Sequence, residues 1–186
     1  MSRTLFVPLA AALLTVTAAC SGDPTTSPRA TSAPRLETSF TSSTAPSGAH
    51  YRNGFSEPTC DANASGGVTC TATALAGVGN IDATLALSVN YSATVQCRNR
   101  GGQVVEVKTQ TTASTVAPDD FTEERNGTLY VRSFSSPAPS TRDLLKNATC
   151  PNGNWTKELV GSASVASFTY TLTFDGFAQP AITVTG

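Results

Sequence analysis

Apolar and polar residues alternate without a break through TLALSVNYSATVQC, residues 84–97. Leu85, Leu87, Val89, Tyr91, Ala93, Val95 and Cys97 fall on one face, and Thr84, Ala86, Ser88, Asn90, Ser92, Thr94 and Gln96 on the other. A period of two over this length predicts a half-buried antiparallel strand with Cys97 on its core side. Shorter stretches repeat the pattern. VTCTATA puts Val68, Cys70, Ala72 and Ala74 together, and VVEVKTQ turns Val105 and Val107 inward and Glu106, Lys108 and Gln110 outward. NGTLYVRSF reads as a turn followed by a strand with Leu129 and Val131 inward. WTKELV is a short strand. SFTYTLTF sets Phe168, Tyr170, Leu172 and Phe174 against Ser167, Thr169, Thr171 and Thr173, and AITVT ends the chain with Ile182 and Val184.

These segments make about seven strands separated by Gly, Asn and Pro turns. Only RDLLKN, residues 142–147, has the pattern of a helical turn. With no helical crossovers to join parallel strands, the expected class is all-β, an antiparallel, immunoglobulin-like β-sandwich.

The N-terminus has a different pattern. A charge-free run from Leu5 to Ala19 follows a short basic start and ends in small residues. It falls short of the ~20 residues needed to cross a bilayer and has the anatomy of a secretory signal. Residues 1–19 are therefore expected to be a signal peptide, with Cys20 the first mature residue. LLTVTAACSG resembles the lipobox of bacterial lipoproteins, although Thr17 stands where a branched aliphatic residue is usual. The resemblance implies lipidation of Cys20 and a membrane anchor; the alternative is a simple Thr-Ala-Ala cut. Residues 20–49 are rich in Ser, Thr, Pro and Ala, with only Leu36 and Phe40 large and apolar. They read as a flexible tether that spans roughly 30 Å as a coil. The sandwich is expected to occupy residues 50–186.

The cysteine count fits this division. The chain has five cysteines, and setting Cys20 aside leaves Cys60, Cys70, Cys97 and Cys150, an even set in an exported protein. Three pairings are open. Cys60–Cys70 and Cys97–Cys150 are favoured, because CDANASGGVTC can turn back at Gly66–Gly67 and the second pair joins a strand end to CPNGNWT. The spacing lacks any CxxC pair, so zinc is disfavoured and no metal or other cofactor is expected.

From about Thr71 to Val184 the chain resembles a family of secreted actinobacterial β-proteins. ALAGVGNIDATLAL, the long strand's ending QCRNRGG, and CPNGNWT before the final strands carry the resemblance. Gly153 stands where relatives commonly have proline, and the middle section diverges. The family has no established activity, so the resemblance implies an exported β-protein but no functional residues.

Charge is nearly balanced at −1, and no basic stripe marks a nucleic-acid partner. The single histidine, His50, lies at the tether's edge, and there is no GxSxG, HExxH or P-loop. PDDFTEER concentrates Asp119, Asp120, Glu123, Glu124 and Arg125. It is read as a solvated connection between strands in preference to a calcium loop or a catalytic pair. Thr169, Thr171 and Thr173 are read as a wet strand face rather than a polysaccharide platform. Trp155 is expected to pack in the core or on a disulfide. Five N-x-Ser/Thr sequons, at Asn63, Asn90, Asn126, Asn147 and Asn154, are attributed to the Ser/Thr-rich composition. If Leu129 and Val131 face the core, Tyr130, Arg132 and Phe134 form an exposed aromatic–Arg–aromatic row, the candidate binding surface; the alternative is a strand buried on both faces.

The functional expectation is a non-catalytic binding or adhesion module of the cell envelope, held to the membrane through its lipid. A wall polysaccharide or another envelope protein would be its partner. A structural component acting by protein association is the alternative, and a glycan-directed hydrolase using paired carboxylates is more remote.

Overall fold

The computed structural model describes residues 37–63, 65–117 and 122–186. Two long strands, β6 (Ala83–Arg98) and β11 (Thr156–Phe174), lie antiparallel at the centre of a five-stranded sheet. β7 (Val104–Val116) pairs with the other side of β6. β12 (Ile182–Thr185) and then β1 (Glu37–Phe40) extend the sheet beyond β11. The register sets Leu85 beside Leu172, Leu87 beside Tyr170 and Val89 beside Phe168. All six side chains are buried, as are Tyr91, Val95 and Cys97, which is the face expected from the alternation. Burying each such side chain contributes about 1.5–3 kcal/mol, and a one-residue slip would expose the whole set.

The covering layer is split. One part has the order β10 (Phe134–Ser136), β4 (Val68–Cys70), β3 (Cys60–Ala62). The other runs β2 (His50–Tyr51), β5 (Thr73–Ala76), β9 (Thr128–Val131), β8 (Thr122–Arg125). All pairings are antiparallel, and the molecule is a mostly-β sandwich. After the longer run from Arg52 to Thr59 that joins β2 to β3, the chain passes between the two parts twice more by two-residue crossings, at Thr71–Ala72 and at Arg132–Ser133. The crossings are tied together where the Ser133 hydroxyl donates to the Cys70 carbonyl at 2.8 Å.

Each crossing corrects an expectation. VTCTATA is two strands rather than one, and Ala72, expected to face inward, is exposed. The alternation of TLYVRSF likewise breaks after Val131, so that Phe134 re-enters the core. WTKELV and SFTYTLTF, in contrast, are one strand, joined through register shifts between Val160 and Ser167 that accommodate Gly161 at φ +72°. Val105, expected inward, is 41% exposed: it is on the inner face, opposite Cys97, but in the sheet's outermost strand.

The fold also begins earlier than residue 50. β1 pairs with β12 near the C-terminus, placing Phe40 beside Ile182 and 5.5 Å from the Tyr51 ring, and Ala45 is buried. Residues 37–49 are thus part of the sandwich rather than tether. Phe40, one of the two large apolar residues in that stretch, supplies the reason. A Cβ on Gly77, at φ +76°, would lie 2.4 Å from the Gly48 carbonyl oxygen, so only glycine permits this close approach. The signal segment, Cys20 and the rest of the expected tether lie outside the described residues.

Both favoured disulfides are present. Cys60 and Cys70 face each other across β3–β4 with Cα atoms 4.0 Å apart. The flanking Thr71 N–H donates to the Thr59 carbonyl, so the cysteines occupy a non-hydrogen-bonded pair, where strands approach most closely. Cys97 at the end of β6 joins Cys150 across 53 residues of sequence. On the chain-entropy model the two bridges contribute about 3 and 4 kcal/mol. The one α-helix among the described residues, α1 (Thr141–Asn147), is N-capped by Ser140 and buries Leu144. It is held on the inner face of β7 by an Asn147–Thr111 side-chain hydrogen bond of 3.1 Å.

Candidate binding surface

Tyr130 is positioned by the β8–β9 hairpin. Asn126 and Gly127 take positive φ values of 53° and 75°, the two-residue turn that suits the twist of paired strands. The Glu124 carboxylate accepts from the Gly127 N–H at 2.5 Å and braces the turn. The resulting register sets Tyr130 between Glu123 and Ala74 on the outward face, while Leu129 and Val131 are buried.

The neighbours of Tyr130 differ from those expected. Phe134 is only 4% exposed and belongs to the core, because the break at Arg132–Ser133 reverses the side of the chain that faces inward. Arg132 remains exposed beyond the end of β9. The expected row Tyr130–Arg132–Phe134 is therefore not a surface. Phe55 and Arg52 take its place. Phe55 meets the Tyr130 ring edge-on at 6.3 Å between centroids, and the Arg52 guanidinium carbon lies 5.1 Å from that centroid. Arg52 also donates a hydrogen bond to the Tyr130 phenol oxygen. Both residues come from a tight turn in YRNGF. The Phe55 N–H donates to the Arg52 carbonyl at 2.9 Å, and Gly54 has φ +87°. The Asn-Gly pair was the legible sign of this turn; nothing in the periodicity joined it to Tyr130.

Beside the cluster, Glu123, Arg125 and Tyr130 line an open hollow of about 380 Å³. Arg125 pairs with Glu123 at 2.5 Å. The pair is solvent-exposed, so it contributes at most about 1 kcal/mol to stability. Thr122–Arg125, expected in a connection, thus form an edge strand, while Asp119 and Asp120 lie outside the described residues. The surface offers two aromatic faces, a phenol and guanidinium donors, the groups enriched at recognition hot spots.

Elsewhere, Asp82 and Asp175 share a hollow of about 340 Å³ with Ala83, Thr84 and Thr122. Among the described residues no group of three or more His, Cys, Asp or Glu is arranged to hold a metal ion. His50 is exposed, with Nδ1 2.8 Å from the Gly48 carbonyl oxygen. Trp155 is half-buried. Thr169, Thr171 and Thr173 point outward from the five-stranded sheet. Alongside them Asn90 donates to Ser167 at 2.9 Å and accepts from Thr112 at 2.6 Å, while Ser92 and Ser164 lie 3.0 Å apart. These groups satisfy one another across strands. Four sequon asparagines serve the fold: Asn90 in this network, Asn126 in its turn, Asn147 on Thr111, and Asn63 accepting from the Gly67 N–H at 2.9 Å.

The interior holds two unusual phenols. The Tyr51 and Tyr170 hydroxyls are buried without a hydrogen-bond partner. Burial raises both above the ordinary phenol range, with Glu57 adding to the rise at Tyr51 and Tyr51 adding to that at Tyr170.

Two further sequence motifs close turns. In CRNRGG, Asn99 Oδ1 accepts from the Gln103 N–H at 2.9 Å and closes the β6–β7 turn. In CPNGNWT, Asn152 Oδ1 accepts from the Asn154 N–H at 3.1 Å. The two motifs flank the Cys97–Cys150 bridge. No protein-family model, curated protein or solved structure matches the chain.

Proposed function

We propose that this is an exported cell-envelope protein, lipid-anchored at Cys20, whose β-sandwich is a non-catalytic binding module with Arg52, Phe55 and Tyr130 as its recognition surface. The observation that carries the reading is the exposed aromatic–guanidinium cluster: Phe55 is 37% exposed and is braced against Tyr130, which the strand register holds in place. A rigid cluster loses little conformational freedom on binding. Its chemistry suits a wall polysaccharide, with sugar C–H faces on the rings and hydroxyl or carboxylate groups on the guanidiniums. The nearby carboxylates have structural tasks, Glu123 on Arg125 and Glu124 on the Gly127 N–H, which favours binding over acid–base chemistry.

Export is supported by the two disulfides, which persist in oxidising compartments. No helix among the described residues is long and apolar enough to cross a membrane. The anchor rests on the N-terminal pattern around Cys20 and on the even cysteine set left when Cys20 is set aside. Cys20→Ala should move the protein from the membrane to the soluble fraction; unchanged membrane partitioning would remove the anchor from the account.

The binding test is retention of the full chain on insoluble wall polysaccharide. Tyr130→Ala should weaken retention about tenfold or more while leaving the melting temperature nearly unchanged. Equal retention of the wild type and this variant would overturn the proposed surface. Association through a sheet edge, the second reading, is favoured by the open flank of β7.

A further inference from the structure

The outer flank of β7 is the longest unpaired backbone edge among the described residues. β7 ends its sheet, and its register with β6 continues without a bulge from Val104 to Val116. The Asn99 N–H bonds the Gln103 carbonyl and the Ala117 N–H bonds the Leu85 carbonyl, which sets the phase of the ladder. Odd-numbered residues of β7 bond to β6. Val104, Glu106, Lys108, Gln110, Thr112, Ser114 and Val116 direct their N–H and C=O groups away from it. Natural edges of this kind are blunted by proline, bulges, brevity or dense charge. This one has no proline, no bulge and only two charges. The opposite edge, β1, has just four residues.

We propose that β7 is a dimerisation edge, pairing antiparallel with β7 of a second copy about a two-fold axis at Gln110. In this register Val104 faces Val116 of the second copy, Glu106 faces Ser114, Lys108 faces Thr112, and Gln110 faces its own counterpart. Every outward backbone group of the strand finds a partner, and no like charges stand opposite one another. Val104 and Val116, 43% and 64% exposed, cover each other at both ends. The rival self-pairing about Val107 sets Glu106 opposite Lys108 but joins only residues 104–110 and leaves Val116 and its neighbours unpaired. The full-length register therefore prevails.

The two-fold axis is perpendicular to the sheet, so both covering layers lie on the same side. A dimer would present two Tyr130 surfaces in one direction, an arrangement suited to a repeating ligand. The edge belongs to the other sheet from Tyr130 and stands independently of what that surface binds.

The test uses the exported full-length chain, with oxidative cross-linking read on non-reducing gels. Gln110→Cys should give a dimer of twice the chain mass, because self-paired residues lie within disulfide reach. Thr112→Cys, two residues away on the same face, should stay largely monomeric. In sedimentation of detergent-solubilised protein, Gln110→Pro should convert a wild-type dimer to monomer, since an edge proline removes only an outward N–H. Equal cross-linking of both cysteine variants, cross-linking of neither, a product with a chain of another mass, or a monomeric wild type would each overturn the proposal.

Discussion

β6 runs from Ala83 to Arg98 with every second side chain buried, whereas the layer covering it divides into two sheets whose strands have two to four residues. In the large sheet, β7 holds one register along β6, the shifts between Val160 and Ser167 are taken up by β11, and along β6 alternation alone places each side chain. In the covering layer, position depends on where the chain crosses from one sheet to the other. There the same local pattern, an apolar residue two places after another, does not keep its meaning. Val131 and Phe134 are both buried although they are three residues apart, because Arg132–Ser133 is not strand. The candidate surface lies in the layer where register is set locally, and the dimer edge in the sheet where it is continuous.

The largest expected effect tests the crossing itself. Phe134→Ala should cost about 3–5 kcal/mol by denaturant unfolding, as for a buried core aromatic. Phe55→Ala should cost less than about 0.5 kcal/mol, as for a surface position. Similar small losses for both would mean that the alternation continues unbroken and that Phe134 is exposed after all.

Next in size is the bridge that holds β3 to β4. Replacing Cys60 and Cys70 together by Ala should lower stability by about 3 kcal/mol. If the covering layer depends on such local fastening, loosening should be confined to it, with hydrogen exchange at β6 and β11 little changed. Uniform acceleration across both sheets would erase the contrast between them.

The smallest effect concerns the buried phenols. Tyr170→Phe removes a buried hydroxyl without a partner, so stability near neutral pH should hold or rise slightly. The raised Tyr51 and Tyr170 values favour the unfolded state only where its own phenols ionise. Stability should be fully present below about pH 10 and fall as pH rises beyond it. Tyr170→Phe should flatten that alkaline fall; an unchanged slope would mean that Tyr170 is not held in its neutral form by burial.

How much of this was legible in sequence follows the same division. The buried faces of β6, β11 and β12, the helical turn at residues 142–147 and both disulfides could be read from period, spacing and cysteine arithmetic. β2, β3 and β10 could not, since two or three residues are too few to show a period. The crossing at Arg132–Ser133 carries no glycine or proline to mark it. Phe40 looked like an isolated apolar residue in a polar stretch, because its partner Ile182 lies near the other end of the chain. Of the candidate surface, Tyr130 was correctly placed outward. Arg52 and Phe55 were missed because their contact with it spans more than 70 residues of sequence.

The most direct test of the account measures wall-polysaccharide binding and thermal stability in parallel for Phe55→Ala and Phe134→Ala. The account predicts that Phe55→Ala loses binding with its melting temperature nearly intact, while Phe134→Ala melts several degrees lower. If Phe134→Ala instead lost binding at unchanged stability while Phe55→Ala bound normally, the surface would be the unbroken Tyr130–Arg132–Phe134 row and the account would be wrong.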